Sequence, residues 1–376
     1  MKKILLVAGA RPNFMKIAPV LRAIDQKKSS LSSVLVHTGQ HYDHKMSGSF
    51  FEELGIREPE YNLEIGSGSH AVQTANIMIK FEEVCIKEKP DWVVVVGDVN
   101  STIAAGLVAK KLDIGLAHIE AGLRSRDRKM PEEINRLATD AISDLFFTTE
   151  PEGTQNLLSE GQSSEKVHFV GHVMIDNLFF QLTRLSSDSM SEPVRILKGL
   201  LPEKYICMTM HRPSNVDDPS VLKRLMSAVE KISKEVPVIF PCHPRTRKNI
   251  SLFNIDLDTV SLDNSTDKIK NGLVVLDPLG YNEFLSLWKD SAAVLTDSGG
   301  LQEETTALKV PCITMRENTE RPITAEIGSN VVVGTNPEKI INYVNDALHG
   351  KWKESQIPDL WDGKASERIA EILNKS

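Results

Sequence analysis

Polar residues that follow short apolar runs are the first sign of chemistry in this chain. Asp98 follows Trp92 to Val96, Glu120 follows Leu116 to Ile119, and Asp297 follows Ala293 to Thr296. Arg11 comes soon after Ile4 to Ala8, His211 and Arg212 after Tyr205 to Thr209, and His243 after Val238 to Phe240. Carboxylates and histidines give and take protons, and cations hold an anion as it departs, so the set suits acid–base chemistry on an anionic substrate. A second cue is Asp297-Ser298-Gly299-Gly300-Leu301-Gln302-Glu303-Glu304, a strand end opening into a helix. Its glycines let backbone N–H groups approach an anion at the positive helix end, which reads as a diphosphate cradle. Glu304, one turn in, could accept both hydroxyls of a ribose, with Arg321 further on in Glu320-Arg321-Pro322. An ordinary helix charge accounts for Glu304 as well.

Such residues need strands to hold them. Six short Val/Ile/Leu runs alternate with longer amphipathic segments up to Val167 to Val170, and six more follow from Tyr205 to Thr209 through Val331 to Val333. That is the βαβ signature, given twice, so the fold class is α/β with two doubly wound parallel sheets. In such sheets ligands bind beyond the carboxyl ends of the strands, where the polar residues above fall. The expected domains are 1–172, 173–355 and a C-terminal helical stretch, 356–376, returning to the first domain. The crossover is placed in the helical and then Ser-rich segment from Gly171 to Ser191.

Composition narrows the field. Lys plus Arg total 44 against 51 for Asp plus Glu, a net charge of −7 that disfavours nucleic acid and other polyanions as partners. No run approaches the length of a membrane span, and the apolar start after Met1-Lys2-Lys3 is too short for a signal peptide and reads as a first core strand. The four cysteines lack any C-x-x-C spacing and read as reduced structural thiols of a cytoplasmic protein.

Gly9-Ala10-Arg11-Pro12 is no G-x-G-x-x-G, and none of the five tyrosines has a lysine four residues on, so NAD-dependent sugar epimerisation is not expected. Without a redox cofactor, a sugar carbon beside the anomeric centre can still be inverted. Departure of the anomeric group leaves an oxocarbenium-like C1 that acidifies the C2 proton, and elimination followed by re-addition inverts C2. Asp98, Glu120 and Glu132 supply carboxylates for this, with Arg11, Lys16, His211 and Arg212 as neighbouring groups. Two favourable dipole charges at a helix start explain Glu132-Glu133 after Pro131 equally well, and a turn histidine bonded to backbone explains His211.

Together these residues resemble the non-hydrolysing UDP-N-acetylglucosamine 2-epimerases from Gly9 to at least Gly334. The resemblance is carried by Gly9-Ala10-Arg11-Pro12 with Lys16, His37-Thr38-Gly39-Gln40-His41, Gly97-Asp98, His118-Ile119-Glu120-Ala121-Gly122-Leu123-Arg124, Pro131-Glu132-Glu133-Ile134-Asn135-Arg136, His211-Arg212, and Leu295 to Glu304 with Glu320-Arg321-Pro322. It implies two Rossmann-like domains facing across a cleft, the glycosyltransferase-B type, and a site shared across a linker is expected to close on UDP. It also implies interconversion of UDP-GlcNAc and UDP-ManNAc by anti elimination of UDP and syn re-addition, with no metal or organic cofactor. Asp98, Glu120, Glu132 and His211 are then the catalytic set, and which carboxylate takes the C2 proton stays open. Arg11, Lys16, Arg136, Arg212, His243, Phe284, Ser298, Gly299, Gly300, Glu304 and Arg321 bind UDP or sugar, and Gln40 and His41 are candidates for regulatory contacts. A homodimer and a place in cell-surface polysaccharide biosynthesis are implied too.

The chain departs from the pattern in places. Gln40-His41-Tyr42-Asp43 and Ala71-Val72-Gln73-Thr74 differ from the segments of members activated by their own substrate, and His211-Arg212-Pro213-Ser214 and Leu279 differ near the nucleotide. His243-Pro244-Arg245-Thr246-Arg247, Met130-Pro131-Glu132 and Asp277-Pro278-Leu279-Gly280-Tyr281 look closer to a sister group that epimerises UDP-2,3-diacetamido-2,3-dideoxyglucuronate. An added cation, with Arg245, Arg247 and Lys248 as candidates, would favour that substrate's carboxylate. A glycosyltransferase on the same fold, a hydrolysing 2-epimerase and a non-catalytic sensor are the competing readings; the retained acidic residues argue against the first and last, and Glu120-Ala121-Gly122-Leu123-Arg124 against the second.

Overall fold

The computed structural model describes residues 1–27, 29–39, 48–186, 190–260 and 268–376. The chain packs as two units, unit 1 comprising Met1–Phe180 with Asp359–Ser376 and unit 2 comprising Gln181–Pro358.

In unit 1, β1 (Lys2–Ala8), β2 (Leu31–His37), β3 (Tyr61–Asn62), β4 (Trp92–Val96), β5 (Gly115–Ile119), β6 (Leu145–Thr148) and β7 (Val167–Phe169) form one sheet in the order β3-β2-β1-β4-β5-β6-β7. Every pair is parallel. Val93 to Val96 are buried without alternation, as in a strand covered by helices on both faces. Helix α1 (Arg11–Gln26) starts with Pro12, whose fixed φ suits a first turn. Phe81 of α3 (His70–Glu88) and Ala104, Ala105 and Val108 of α4 (Asn100–Lys111) pack with Leu5, Val7, Val93 and Val95 in the core. The strand order reverses between β1 and β4, so the turns after them flank a topological switch point.

The end of the chain belongs to unit 1. Helix α16 (Ala365–Lys375) packs on α1. Asp176, on α7 (Val173–Arg184), accepts the N–H groups of Ala365 at 3.1 Å and Ser366 at 2.6 Å and so caps α16. Trp361 meets His172 edge to face, ring centroids 5.1 Å apart. At Gly171 (φ 90°) a Cβ would come within 2.1 Å of the Leu360 carbonyl oxygen, so only glycine lets the returning chain pass.

In unit 2, β8 (Ile206–Met208), β9 (Pro237–Pro241), β10 (Gly272–Leu276), β11 (Ala293–Thr296), β12 (Cys312–Thr314) and β13 (Asn330–Val332) form a second parallel sheet, ordered β10-β9-β8-β11-β12-β13. Its switch point lies between β8 and β11. Leu222, Leu225 and Val229 of α10 (Pro219–Ser233) and Ile340 and Val344 of α15 (Pro337–Leu348) join Phe240, Leu295 and Ile313 in its core. The four cysteines are free and buried. No helix among the described residues is long and apolar enough to cross a membrane.

Candidate functional site

The acidic groups of unit 1 stand on the turns after β4 and β5. Val96 and Ile119 are register partners, so Gly97-Asp98 and Glu120 leave the sheet side by side. Gly97 (φ 67°) and Glu120 (φ 68°) both adopt left-handed backbone. For a residue with a side chain that conformation costs about 1–2 kcal/mol, and such strain gathers where function dictates geometry. The buried Glu120 carboxylate forms an ion pair with Lys16 of α1. A Cβ at Gly97 would lie 3.6 Å from both Lys16 Nζ and Glu120 Oε2, so the turn runs directly against this pair.

Asp98 pairs with Arg136 of α5 (Pro131–Ile142), with Oδ2 2.5 Å from Nη2, and its carbonyl accepts the Asn135 amide at 2.8 Å. The same guanidinium reaches Glu133 at 2.8 Å through Nη1. The two glutamates of the α5 start divide: Glu132 is exposed, whereas Glu133 is buried and accepts the N–H groups of Ser125 and Arg126 at 2.9 and 3.0 Å. Burial works to raise the Glu133 carboxyl, but these N–H groups and Arg136 outweigh it and hold it below its ordinary value. Glu133 was not singled out from sequence, because a first-turn charge looks the same at either position. Arg11 is exposed, its guanidinium 5.0 Å above the Phe50 ring. Gln40 and His41 lie outside the described residues.

Unit 2 is organised around one buried carboxylate. Asp297 accepts the backbone N–H groups of His211 at 2.9 Å and Arg212 at 2.8 Å, the Asn215 amide at 3.3 Å, and His211 Nδ1 at 3.0 Å. Burial raises its carboxyl, and the hydrogen bonds and charge of His211 with the N–H of Arg212 outweigh that and bring it below the usual carboxylate range. The carboxylate fixes the His211 tautomer with the proton on Nδ1, leaving Nε2 for other partners. The Arg212 Nε is buried without a hydrogen-bond partner among the described residues.

Helix α13 (Gly299–Ala307) starts at Ser298, whose side chain makes no cap bond. A Cβ at Gly299 or Gly300 would meet nothing within 4 Å, so the glycines leave the helix's first N–H groups uncovered. His211, His243, Leu279, Tyr281 and Phe284 line an apolar cavity of about 210 Å³. His243 caps α11 (Pro244–Leu252) by accepting the Arg245 N–H at Nδ1, 3.2 Å away. Burial, His211 and Arg245 push its ring below the ordinary histidine value, and an accepting Nδ1 leaves the ring proton on Nε2. Glu304 is buried and accepts the Tyr281 hydroxyl at 2.7 Å. The Arg321 guanidinium is paired with Glu303, the neighbour of Glu304 on α13. Arg245 and Arg247 stand on α11 and are paired with Asp217 and Asp277, at 2.8 and 3.1 Å.

The class is therefore an α/β protein of two doubly wound units, with paired acid–base groups at one switch point and an uncovered helix terminus beside an apolar pocket at the other. The UDP-N-acetylglucosamine 2-epimerase family model matches residues 22–374. A UDP-N-acetylglucosamine 2-epimerase of Methanococcus maripaludis is 44% identical over 99% of this chain and 98% of its own. The crystal structure of Methanocaldococcus jannaschii UDP-GlcNAc 2-epimerase in complex with UDP-GlcNAc and UDP aligns over 100% of both chains with 42% identity and a TM-score of 0.80. A UDP-2,3-diacetamido-2,3-dideoxy-D-glucuronate 2-epimerase of Pseudomonas aeruginosa is 41% identical over 99% of each chain. The chain belongs to the UDP-N-acetylglucosamine 2-epimerase family, a family of isomerases.

Proposed function

We propose that this protein interconverts UDP-GlcNAc and UDP-ManNAc by elimination and re-addition of UDP. The observation that supports it is an acid–base set, Asp98, Glu120, Glu132 and His211, in a chain that matches end to end a relative solved with UDP-GlcNAc and UDP. The cavity at Tyr281 and Phe284 suits a base. The α13 terminus with Ser298, Gly299, Gly300 and Arg212 suits the diphosphate, with Arg321 as a further cation. Glu304 suits the ribose hydroxyls. A carboxylate takes the C2 proton as the C1–O electron pair leaves with UDP, giving a 2-acetamidoglucal; UDP then adds back to C1 while a proton returns to the other face of C2. As written, the step uses no metal or redox cofactor.

Incubation with UDP-GlcNAc in deuterated water tests this by proton NMR. UDP-ManNAc carrying deuterium at C2 is the expected product. Free ManNAc with UDP would replace the reading with hydrolysis, and an unchanged spectrum alongside turnover of the diacetamido-uronate would replace the substrate. The sister substrate is not preferred, because two of its three candidate cations, Arg245 and Arg247, are engaged with Asp217 and Asp277.

We further propose a homodimer. Val72, Ile79 and Ile86 of α3 are 53%, 61% and 59% exposed and recur every seventh residue, an apolar stripe suited to a second copy. Ile79→Glu is expected to yield a monomer by light scattering if this stripe is the interface. The four free thiols fit the cytoplasm, where nucleotide sugars are made for cell-surface polysaccharides.

A further inference from the structure

The turns that carry Asp98 and Glu120 rest on a buried cluster that the proposed reaction does not call on. His118 of β5 and Asp140 of α5 are 0% and 1% exposed. His118 Nδ1 lies 2.7 Å from Asp140 Oδ1, and Nε2 lies 2.8 Å from the Gly97 carbonyl oxygen. The other Asp140 oxygen accepts the Gly122 N–H at 3.1 Å and Arg124 Nη1 at 2.7 Å, contacts that keep Asp140 ionised. A carboxylate and a carbonyl only accept, so both ring nitrogens carry protons, and a ring with two N–H groups is an imidazolium.

We infer that His118 is a positioning residue with a standing charge. Its imidazolium, held between Asp140 and Gly97, sets the Gly97-Asp98 turn against the Glu120-Ala121-Gly122 turn and gives Glu120 a cation besides Lys16. The inference rests on the acid–base reading of Asp98 and Glu120. Three features support it. Asp140 is tied to both turns, through His118 to Gly97 and directly to the Gly122 N–H, so one carboxylate fixes the spacing of two candidate catalytic groups. The charged groups around the ring also balance: His118, Arg124 of the following loop and Lys16 of α1 stand against Asp140, Glu120 and Glu160, the last joined to Arg124 at 2.6 Å. Neutralising the ring would leave three buried or half-buried carboxylates facing two cations. Burial works against the charged ring, yet Asp140, the Gly97 carbonyl and Glu120 outweigh it and raise His118 above its ordinary value.

Two measurements test the inference, one of them independent of activity. Long-range proton–nitrogen correlation on the wild-type protein is expected to show one histidine, assigned by its loss in His118→Gln or its shift in Asp140→Asn, with both nitrogens protonated at neutral pH. A bare nitrogen at neutral pH would overturn the proposal. His118→Gln keeps a donor for Gly97 but loses the charge. The acid limb of its kcat profile is expected to rise by roughly one pH unit, with KM for UDP-GlcNAc within about two-fold of wild type and C2 deuterium exchange slowed in parallel. Asp140→Asn, which frees the ring to titrate, should shift the limb the same way. Loss of activity with the limb unmoved in both would reduce His118 to a structural bond. If neither variant folds, a wild-type spectrum with a doubly protonated ring at neutral pH supports the proposal and one with none among the ten histidines overturns it. If wild type itself puts no deuterium at C2, the proposed reaction fails while the spectrum still answers for the charge.

Discussion

The two switch points of this chain solve different problems with the same architecture. In unit 1 the strand ends are crowded with opposed charges: Glu120 against Lys16, Asp98 against Arg136, His118 and Arg124 against Asp140. In unit 2 one carboxylate, Asp297, organises two backbone N–H groups and a histidine, beside an open helix terminus and an apolar cavity. Dense compensated charge suits a place where a proton must be moved and charge held as it develops. Backbone dipoles and an apolar wall suit a place where a nucleotide must be held without being changed.

Substitutions can break this contrast. Glu120→Gln should lower kcat by roughly 10²–10⁴-fold while UDP binding by calorimetry stays close to wild type; a variant that loses UDP affinity instead would move Glu120 into the recognition half. Asp297→Asn is expected to act on both activity and stability, the latter by about 1–3 kcal/mol in thermal or denaturant unfolding. Its pH dependence has a definite sign. The folded carboxyl sits below its unfolded value, so its contribution is complete above the ordinary aspartate value of about 3.9 and fades as pH falls through the folded value. Wild type and Asp297→Asn should therefore converge in stability on acidification.

Tyr281→Phe removes the hydroxyl donated to Glu304 and should raise KM about five-fold, an effect on the order of 1 kcal/mol, with kcat unchanged. An equal fall in kcat would give the Tyr281–Glu304 pair a part in transition-state binding as well. Smallest of all, Arg245→Ala opens a pair between half-exposed side chains and should change stability by less than about 1 kcal/mol and leave UDP-GlcNAc turnover intact.

Strand positions were plain in the sequence because a buried parallel strand is a short unbroken apolar run; Trp92–Val96, Leu145–Thr148 and Ala293–Thr296 coincide with the runs read from it. β3 was missed, since Tyr61–Asn62 is a two-residue edge strand with no such run. The acidic residues at strand ends were legible one by one, but their partners were not. Lys16 and Glu120 stand 104 positions apart, and no local pattern announces their pairing. His118 sits inside an apolar run and Asp140 near the end of an amphipathic helix, where only the fold shows that both are buried and joined. The same holds for Glu133, whose burial separates it from Glu132 only once the loop from Leu123 to Met130 folds over it.

The return of the chain to unit 1 has a consequence for biosynthesis. Unit 2 is an insertion between the two pieces of unit 1, so a ribosome must finish all of it before α16 emerges. Until then Ile369, Ala370 and Leu373 are missing from the cover of α1, and Asp176 waits beside a helix start that does not yet exist. The segment made first is thus completed last, and a nascent chain stopped before residue 359 should expose an N-terminal unit with an open flank to proteases and chaperones.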